Sequence, residues 1–345
     1  MERLSYKIAF NVWHKGNPAH IFIMTPDGKE KKQITYGPTP CLYPTWSPDG
    51  GRIAFEESGI SVINPDGKNK RNLIPHGIYP AWSPDGKKIS FTTGILPLKG
   101  EIWFLDLESG ETRKITDGVG AYWSPDGRRI AFTRYKNQND PDIFICDVDG
   151  EDAIDLTNRT TKERSPIFTP DGDRLLFLSN MFDHTRWNIA VMDLETRHVR
   201  RIHVDPRISI VGWDRLAVSP DGRRIFFRGR EGDAPWDLYS IDFGGKGLVN
   251  LTKTPFVNEF YPHCSPFLGE MEVGPLDKRL TLWGMLNLHS AASCGSFLIF
   301  QIPYRGKSYP RRWKYVSAEI LNPEIRSPGN SCGDMQGDRS IRTDR

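Results

Sequence analysis

Residues 43–55 read YPTWSPDGGRIAF, and residues 79–91 read YPAWSPDGKKISF. The Ser-Pro-Asp-Gly at the centre of both stretches recurs along the chain, and one copy has threonine in place of serine. The five copies start at Ser47, Ser83, Ser124, Thr169 and Ser219. Successive starts are 36, 41, 45 and 50 residues apart. A repeat with a period near 40 residues is typical of a stack or ring of similar supersecondary units.

Each repeat contains the same succession of short strands. A basic residue and a short apolar strand, such as RIAF at 52–55, follow the tetrapeptide, and two further strands come after a variable loop. Proline fixes φ and Asp-Gly favours a tight turn, so Pro-Asp-Gly joins two antiparallel strands. Four short strands per unit predict the blade of a β-propeller. The residue before each turn is expected to pack between neighbouring blades, at Trp46, Trp82, Trp123, Phe168, Val218 and Cys264.

The number of blades follows from the two ends of the repeat region. The first unit, which begins at YKIAFNVW, has three strands and lacks the innermost one. Residues 261–267 form a sixth, partial copy that has no unit after it. We therefore predict an all-β fold, a six-bladed β-propeller of four-stranded antiparallel blades. The ring is expected to be closed by the strand at 260–267, which pairs with the N-terminal unit and removes an open sheet edge.

The repeat units resemble those of the TolB-like propeller family, which is related to the WD repeat. The resemblance rests on YPTWSPDGGRIAF, YPAWSPDGKKISF and YWSPDGRRIAF, and it covers about residues 4–268. It implies a propeller, and for TolB itself a periplasmic scaffold that contacts other envelope proteins. Similar units also build the propellers of prolyl oligopeptidases and dipeptidyl peptidases, so the repeat specifies the fold more than the function.

Charge and hydropathy exclude two classes of partner. Basic and acidic residues are equal in number within residues 1–268, so the net charge of +3 lies wholly in residues 269–345. A neutral body has no basic face for nucleic acid, and we expect none to bind. Residues 280–302 are long enough to span a membrane, but their many polar side chains argue against a span. Without a signal peptide the chain as written is expected to be cytoplasmic, or periplasmic if an N-terminal signal is missing.

No catalytic or metal-binding motif is supported. Gly329-Asn-Ser331-Cys-Gly333 matches G-x-S-x-G, but no strand precedes it, no helix follows it, and no histidine comes after the serine. Residues 147–152, DVDGED, are interpreted as a hairpin turn, since a calcium loop would continue to a bidentate glutamate. We predict that the protein is not an enzyme and has no metal or cofactor. The widely spaced cysteines fit free thiols, buried at Cys41, Cys146 and Cys264.

The two faces of the predicted propeller differ in their loops. Pro-Asp-Gly turns and third-to-fourth-strand turns form one face, and they are short and alike. The second-to-third-strand loops and the connections between blades form the other, the long-loop face, where a protein or peptide is expected to bind. Aromatic and basic side chains suit an interface. The candidates are Trp13, His14, Lys15, Arg134, Tyr135, Lys136, His184, Arg186, Trp187, Arg230 and Trp236.

The repeat ends abruptly after Ser265-Pro266, where FLGEMEV stands in place of an apolar strand. We divide the chain into a propeller at 1–268 and a C-terminal segment at 269–345 of unassigned structure. Disorder and a shifted reading frame are the two explanations for that segment.

The preferred function is a non-catalytic, monomeric scaffold that binds a protein or peptide on its long-loop face. One alternative is the propeller of a prolyl-oligopeptidase-like serine peptidase without its catalytic domain. Another is a lactonase-type propeller with a small-molecule site in its channel.

Overall fold

The computed structural model describes residues 6–95, 99–137, 140–158 and 160–266, together with five strands of the C-terminal segment. Every blade is an antiparallel sheet. Blade 1 contains Ile8–His14 (β1), His20–Met24 (β2) and Lys32–Gln33 (β3); blade 2 contains Leu42–Trp46 (β4), Ile53–Glu56 (β5), Ile60–Ile63 (β6) and Arg71–Ile74 (β7). Blade 3 contains Ile78–Trp82 (β8), Lys88–Ile95 (β9), Lys99–Asp106 (β10) and Thr112–Asp117 (β11).

The second half of the ring repeats this order. Blade 4 contains Val119–Trp123 (β12), Arg129–Tyr135 (β13), Pro141–Asp147 (β14) and Ile154–Asp155 (β15). Blade 5 contains Glu163–Phe168 (β16), Arg174–Ser179 (β17), Asn188–Asp193 (β18) and Val199–Ile202 (β19). In blade 6 the innermost strand is in two pieces, Ile208–Ile210 (β20) and Ala217–Val218 (β21), followed by Arg224–Glu231 (β22), Asp237–Asp242 (β23) and Val249–Asn250 (β24).

The closing strand, Val257–Cys264 (β25), completes blade 1 as its innermost strand. It pairs antiparallel with β1 from Ile8 opposite Cys264 to His14 opposite Val257. The predicted closure is confirmed, but the strand begins before residue 260, because β1 is seven residues long and pairs along its whole length. The end predicted at 267 lies outside the described residues.

The Ser-Pro-Asp-Gly turn is held by its own side chains. In the second copy, Ser83 Oγ donates to Asp85 Oδ1 at 2.6 Å, and Gly86 N–H donates to Ser83 O at 2.9 Å. Gly86 has a φ of +70°, and an added Cβ would lie 3.3 Å from Pro48 Cγ in the previous blade. The tetrapeptide therefore makes a tight turn that requires glycine, and its proline packs against the next turn of the ring.

Six apolar clusters hold the blades together, each built from two neighbouring blades. The cluster between blades 1 and 2, for example, joins Ile21 to Trp46 and Phe55, all at most 3% exposed. The residues before the turns lie in or against these clusters as predicted. Cys41 and Cys146 are buried free thiols, whereas Cys264 is half-buried.

A bulge in the innermost strands shapes the central channel. Tyr43, Tyr79, Ser165 and Tyr261 adopt φ near +55° at equivalent positions, and Gly120 has the same sign. The N–H groups freed by the bulge bond to side chains of the preceding blade: Tyr43 N–H to Asn11 Oδ1 at 3.1 Å, Gly120 N–H to Thr92 Oγ1 at 3.1 Å and Ser165 N–H to Thr133 Oγ1 at 3.2 Å. These bonds satisfy backbone donors that would otherwise be buried without a partner.

The C-terminal segment contains two further sheets. Glu270–Val273 (β26) pairs with Lys278–Thr281 (β27), and Ala291–Cys294 (β28), Phe297–Pro303 (β29) and Trp313–Glu319 (β30) form a three-stranded antiparallel sheet. The proposed boundary at 268/269 and the two explanations for this segment stay predictions. No helix among the described residues is long and apolar enough to cross a bilayer.

Candidate functional site

The exposed aromatic side chains of the described propeller lie together on the long-loop face. They follow the second strand of a blade, lie between blades, or lie in the insertion at 211–216 that interrupts the innermost strand of blade 6. They are Trp13 (38% exposed), Tyr36 (66%), Phe182 (37%), Trp213 (64%) and Phe256 (89%). The other exposed large apolar residues, Ile154 and Val249, lie on outermost strands. The long-loop face is thus the one that presents aromatic contacts.

A cleft of about 640 Å³ opens on this face where the ring closes. Blades 1, 2 and 6 contribute its walls, and we call it the seam cleft. It is lined by Trp13, Asn17, Pro18, Ala19, Pro40, Leu42, Arg228, Trp236, Asn258, Phe260 and Tyr261. The guanidinium of Arg228 lies between Trp236 and Phe260, with Cζ 4.7 and 5.3 Å from the two ring centroids. An apolar cleft with a fixed cation suits a segment of polypeptide with apolar side chains.

Two of the predicted site residues line the seam cleft, and three more lie beside those two. Trp13 and Trp236 line it. Arg230 stacks on Trp236, with Cζ 4.6 Å from the centroid of the indole ring. His14 and Lys15 are exposed in the same loop as Trp13. Trp236 N–H also donates to Asn258 Oδ1 at 3.1 Å, so blade 6 is anchored to the closing strand beside the cleft.

Two predicted residues of blade 4 bond within the propeller, Arg134 to blade 3 and Lys136 to its own blade. Arg134 donates to Asp117 O at 2.9 Å and to Thr116 Oγ1 at 2.8 Å. Lys136 forms ion pairs with Asp142 at 2.8 Å and Asp155 at 3.0 Å, and its hydrogen bond to Asp142 raises the pKa of Lys136. These groups are occupied within the propeller and are less available to a partner than an unpaired loop side chain.

Tyr135 and the blade 5 candidates divide between the surface and the channel. His184 and Arg186 are exposed, and Arg186 Nη2 donates to Pro206 O at 2.6 Å. Trp187 packs against the cluster between blades 5 and 6, and a Cβ on Gly212 would lie 1.9 Å from Trp187 Cε2. Tyr135 lies at the loop end of the channel. The candidates therefore do not form one site.

The central channel holds a cluster of tyrosines around one arginine, which sequence reasoning missed. The Tyr43 ring packs against those of Tyr79 and Tyr261, with centroids 4.4 and 4.2 Å away. Arg215 is 6% exposed, and its Cζ lies 5.2 Å from the centroids of Tyr43, Tyr79 and Tyr122. The Tyr-Pro pair that recurs at 43–44, 79–80 and 261–262 is the sequence signal that could have revealed these rings.

A small cavity of about 60 Å³ lies at the loop end of the channel, and we call it the channel cavity. Two buried arginines, Arg164 and Arg215, line it together with Tyr79, Tyr122, Tyr135 and Trp213. Arg164 is 5% exposed, and its Cζ lies 3.5 Å from the centroid of the Trp213 ring. At the other end, on the short-turn face, a cavity of about 240 Å³ is lined by the prolines of four turns and by Trp46, Trp82 and Trp123.

The histidine and the buried aspartate of the channel are held by the backbone. His263 Nδ1 accepts from Trp46 N–H, and its Nε2 lies 3.2 Å from Thr45 Oγ1; burial lowers its pKa to about 3. Asp214 Oδ1 accepts from Arg215 N–H at 2.7 Å and from Tyr261 N–H at 3.0 Å. Burial raises the pKa of Asp214 to about 6. Both groups connect the innermost strands to one another.

The described residues contain no group of three or more His, Cys, Asp and Glu side chains that could hold a metal ion. The predictions of no metal and no cofactor stay predictions.

Comparison with known proteins agrees with this architecture. The family model described as TolB beta propeller domain matches residues 4–254. No curated protein matches the sequence. Among solved structures, TolB from Acinetobacter baumannii has a TM-score of 0.67 at 22% identity, with 76% of this chain and 67% of that chain covered.

Two further solved structures show how varied the proteins with this fold are. The nidogen/laminin complex has a TM-score of 0.58 at 12% identity, with 75% of this chain and 98% of that chain covered. Oligogalacturonate lyase in complex with manganese has a TM-score of 0.51 at 15% identity, with 86% and 82% covered. At these identities the likeness shows the fold alone, and it includes an enzyme.

Proposed function

The chain belongs to the TolB beta propeller family, and we propose that it is a non-catalytic, monomeric platform that binds a partner protein or peptide on its long-loop face. The observation that carries the proposal is the placement of the exposed aromatic side chains. Trp13, Tyr36, Phe182, Trp213 and Phe256 all lie on that face, whereas the short-turn face is built of repeated proline and glycine turns. Aromatic side chains dominate the energy of protein interfaces.

The seam cleft is the proposed centre of the interface. It is concave, and its Trp13 side chain is 38% exposed beside the Arg228–Trp236 stack. Its walls come from the two ends of the repeat region, which β1 and β25 hold rigidly together. A rigid concave patch loses little conformational entropy when a partner binds, which favours affinity.

The absence of catalysis is part of the proposal and is supported by the channel geometry. Both ring nitrogens of His263 and Oδ1 of Asp214 are engaged with neighbouring innermost strands or Thr45. A general base must reach a substrate proton at hydrogen-bond distance, and these atoms are already occupied within the propeller.

The test is quantitative capture of partners from cells of the native organism, with partners identified first on the wild-type protein. Trp13→Ala should weaken capture of the identified partner about tenfold or more, because removing a central interface tryptophan typically costs ~2 kcal/mol or more. Matched controls are Ile154→Ser and Val249→Ser, which alter equally exposed apolar residues on outermost strands. If Trp13→Ala keeps full capture while either control loses it, the long-loop face is the wrong surface.

A further inference from the structure

Two buried guanidinium groups face the channel cavity without an ion pair to any carboxylate among the described residues. Arg164, on β16, is 5% exposed, and Arg215, in the insertion at 211–216, is 6% exposed. Both line the channel cavity. An arginine stays protonated at any physiological pH, so two full positive charges are buried here. Buried charges are normally paired or fully hydrogen-bonded.

The donors of these two arginines are largely unused within the described residues. Nε and Nη1 of Arg164 and both Nη atoms of Arg215 are buried and have no hydrogen-bond acceptor there. Neither side chain forms an ion pair within that part of the chain. Arg228, in contrast, lies 3.6 Å from Asp214 Oδ2. The arginines of the channel cavity thus differ from the half-buried Arg228 nearby, which has a carboxylate beside it.

Aromatic rings lie close to both guanidinium groups. Trp213 covers Arg164, and Tyr43, Tyr79 and Tyr122 surround Arg215. Cation–π contacts stabilise the planar face of a guanidinium, whereas its N–H groups point outward in the plane and need acceptors. Both guanidinium groups therefore have aromatic neighbours, whereas several of their N–H donors have no acceptor among the described residues.

A third donor lines the same cavity. The Tyr122 hydroxyl is buried and has no hydrogen-bond partner among the described residues. Burial raises the pKa of Tyr122 to about 12, so the hydroxyl keeps its proton and can donate. One competing acid is Glu56; burial raises its pKa to about 7, and the Arg215 charge opposes this rise. Asp214 is already engaged with Arg228 and two backbone N–H groups.

We propose that the channel cavity binds a carboxylate of the partner, held by Arg164 and Arg215 from two sides and by the Tyr122 hydroxyl. A carboxylate offers two oxygens in a plane, which matches the fork of N–H donors on a guanidinium. The cavity of about 60 Å³ suits so small a group. Access is from the long-loop face, where the exposed Trp213 lies over Arg164. The identification of the carboxylate with a partner rests on the proposed function.

Three peptide probes test the proposal by isothermal titration calorimetry. They are N-acetyl-Ala-Ala-Gln-Ala-Ala amide, the same peptide with a free C-terminal carboxylate, and the amide with glutamate in place of glutamine. At least one carboxylate peptide should bind tenfold or more tightly than the neutral amide. The two carboxylate peptides distinguish a chain terminus from an acidic side chain. Equal binding of all three, or tighter binding of inorganic phosphate than of either carboxylate peptide, would overturn the proposal.

Variants connect the binding to these side chains. Arg215→Lys and Arg164→Lys keep the charge but lose the planar fork, so each should weaken the preferred peptide about tenfold. Tyr122→Phe removes only the hydroxyl and keeps the ring, which makes it the variant least disturbing to the fold. Arg134→Lys is the matched control, because Arg134 already has acceptors on the outermost strand of blade 3. Unchanged affinity in all three cavity variants contradicts the assignment.

The same probes separate this inference from the proposed function. Trp13→Ala alters the seam cleft and should leave peptide carboxylate binding unchanged while it reduces partner capture. If a carboxylate peptide binds but partner capture does not depend on Trp13, the seam cleft is not the interface and the carboxylate site in the channel cavity is supported. If partner capture depends on Trp13 but no carboxylate peptide binds, the proposed partner-binding function is supported and the carboxylate site is refuted.

Discussion

Glu56→Gln should make the unfolding free energy of the propeller depend less on pH. Glu56 ends β5, and its buried Oε2 has no hydrogen-bond partner among the described residues. Burial raises the pKa of Glu56 from an ordinary 4.5 to about 7, and the Arg215 charge only partly opposes this rise. The folded protein therefore binds this proton more tightly than the unfolded chain does. Stability from this group is fully present below pH 4.5 and is lost as the pH rises through 7.

The size of the effect follows from the same two values. Each pKa unit corresponds to about 1.4 kcal/mol, so the wild-type protein should lose roughly 2–3 kcal/mol of unfolding free energy from this group between pH 5 and pH 8. Glutamine carries no titratable proton and removes that loss. Glu259 and Asp214, whose pKa values burial raises to about 7 and about 6, lower stability in the same direction and remain in the variant. The difference between the two proteins isolates Glu56.

The assay is urea unfolding of the wild type and Glu56→Gln at pH 5 and pH 8, with transitions compared at equal slope. The variant should lose roughly 2–3 kcal/mol less than the wild type between the two pH values. Glu111→Gln, which neutralises an exposed carboxylate of blade 3, is the matched control and should track the wild type within about 0.5 kcal/mol. If the wild type and Glu56→Gln lose equal stability over this range, the buried carboxyl is ionised at no cost and the reasoning fails.

Two further substitutions test how the blades are held. Thr133→Val keeps the side-chain shape but leaves the bulged Ser165 N–H without its acceptor. The unfolding free energy measured in urea titrations should therefore fall by about 1–3 kcal/mol. A loss below about 0.5 kcal/mol would show that the bond is dispensable. Lys136→Met removes the ammonium group that lies 2.8 Å from the fully buried Asp142 carboxylate, so the unfolding free energy should fall by about 3–5 kcal/mol at pH 7. The double variant Lys136→Met/Asp142→Asn should recover part of that loss. Equal instability of the single and double variants would contradict the pairing argument.

The repeat and its closure could be predicted because each depends on local chemistry. Ser83-Pro-Asp-Gly86 makes its turn with hydrogen bonds among its own atoms. The apolar residue before the turn, Trp82, can be buried only against the neighbouring blade. The pairing of β25 with β1 followed from counting strands. The extent of that strand did not follow, because pairing length depends on a partner about 250 residues away in the sequence.

The channel could not be predicted in the same way. Arg164 and Arg215 come from the two neighbouring blades 5 and 6, and both residues fall outside the repeated motif. Their juxtaposition depends on the bulge in the innermost strands and on the insertion at 211–216, and the insertion occurs once, so no repeat marks it in the sequence. Trp13 and Trp236 could be proposed from sequence because aromatic residues in long loops are conspicuous, and the structure places both in the seam cleft. Lys136 was proposed as a basic loop residue, and its bond to Asp142 could not be seen from the sequence.

The closing strand also determines from which side the propeller can be tethered. β25 runs from the long-loop face to the short-turn face, and β1 begins beside its end, where Ser265 N–H donates to Lys7 O at 2.8 Å. The polypeptide therefore enters and leaves the ring at neighbouring points on the short-turn side. A tag, a surface attachment or a fused domain joined at either point would orient the aromatic face away from its anchor, with both the seam cleft and the channel cavity open to an approaching ligand.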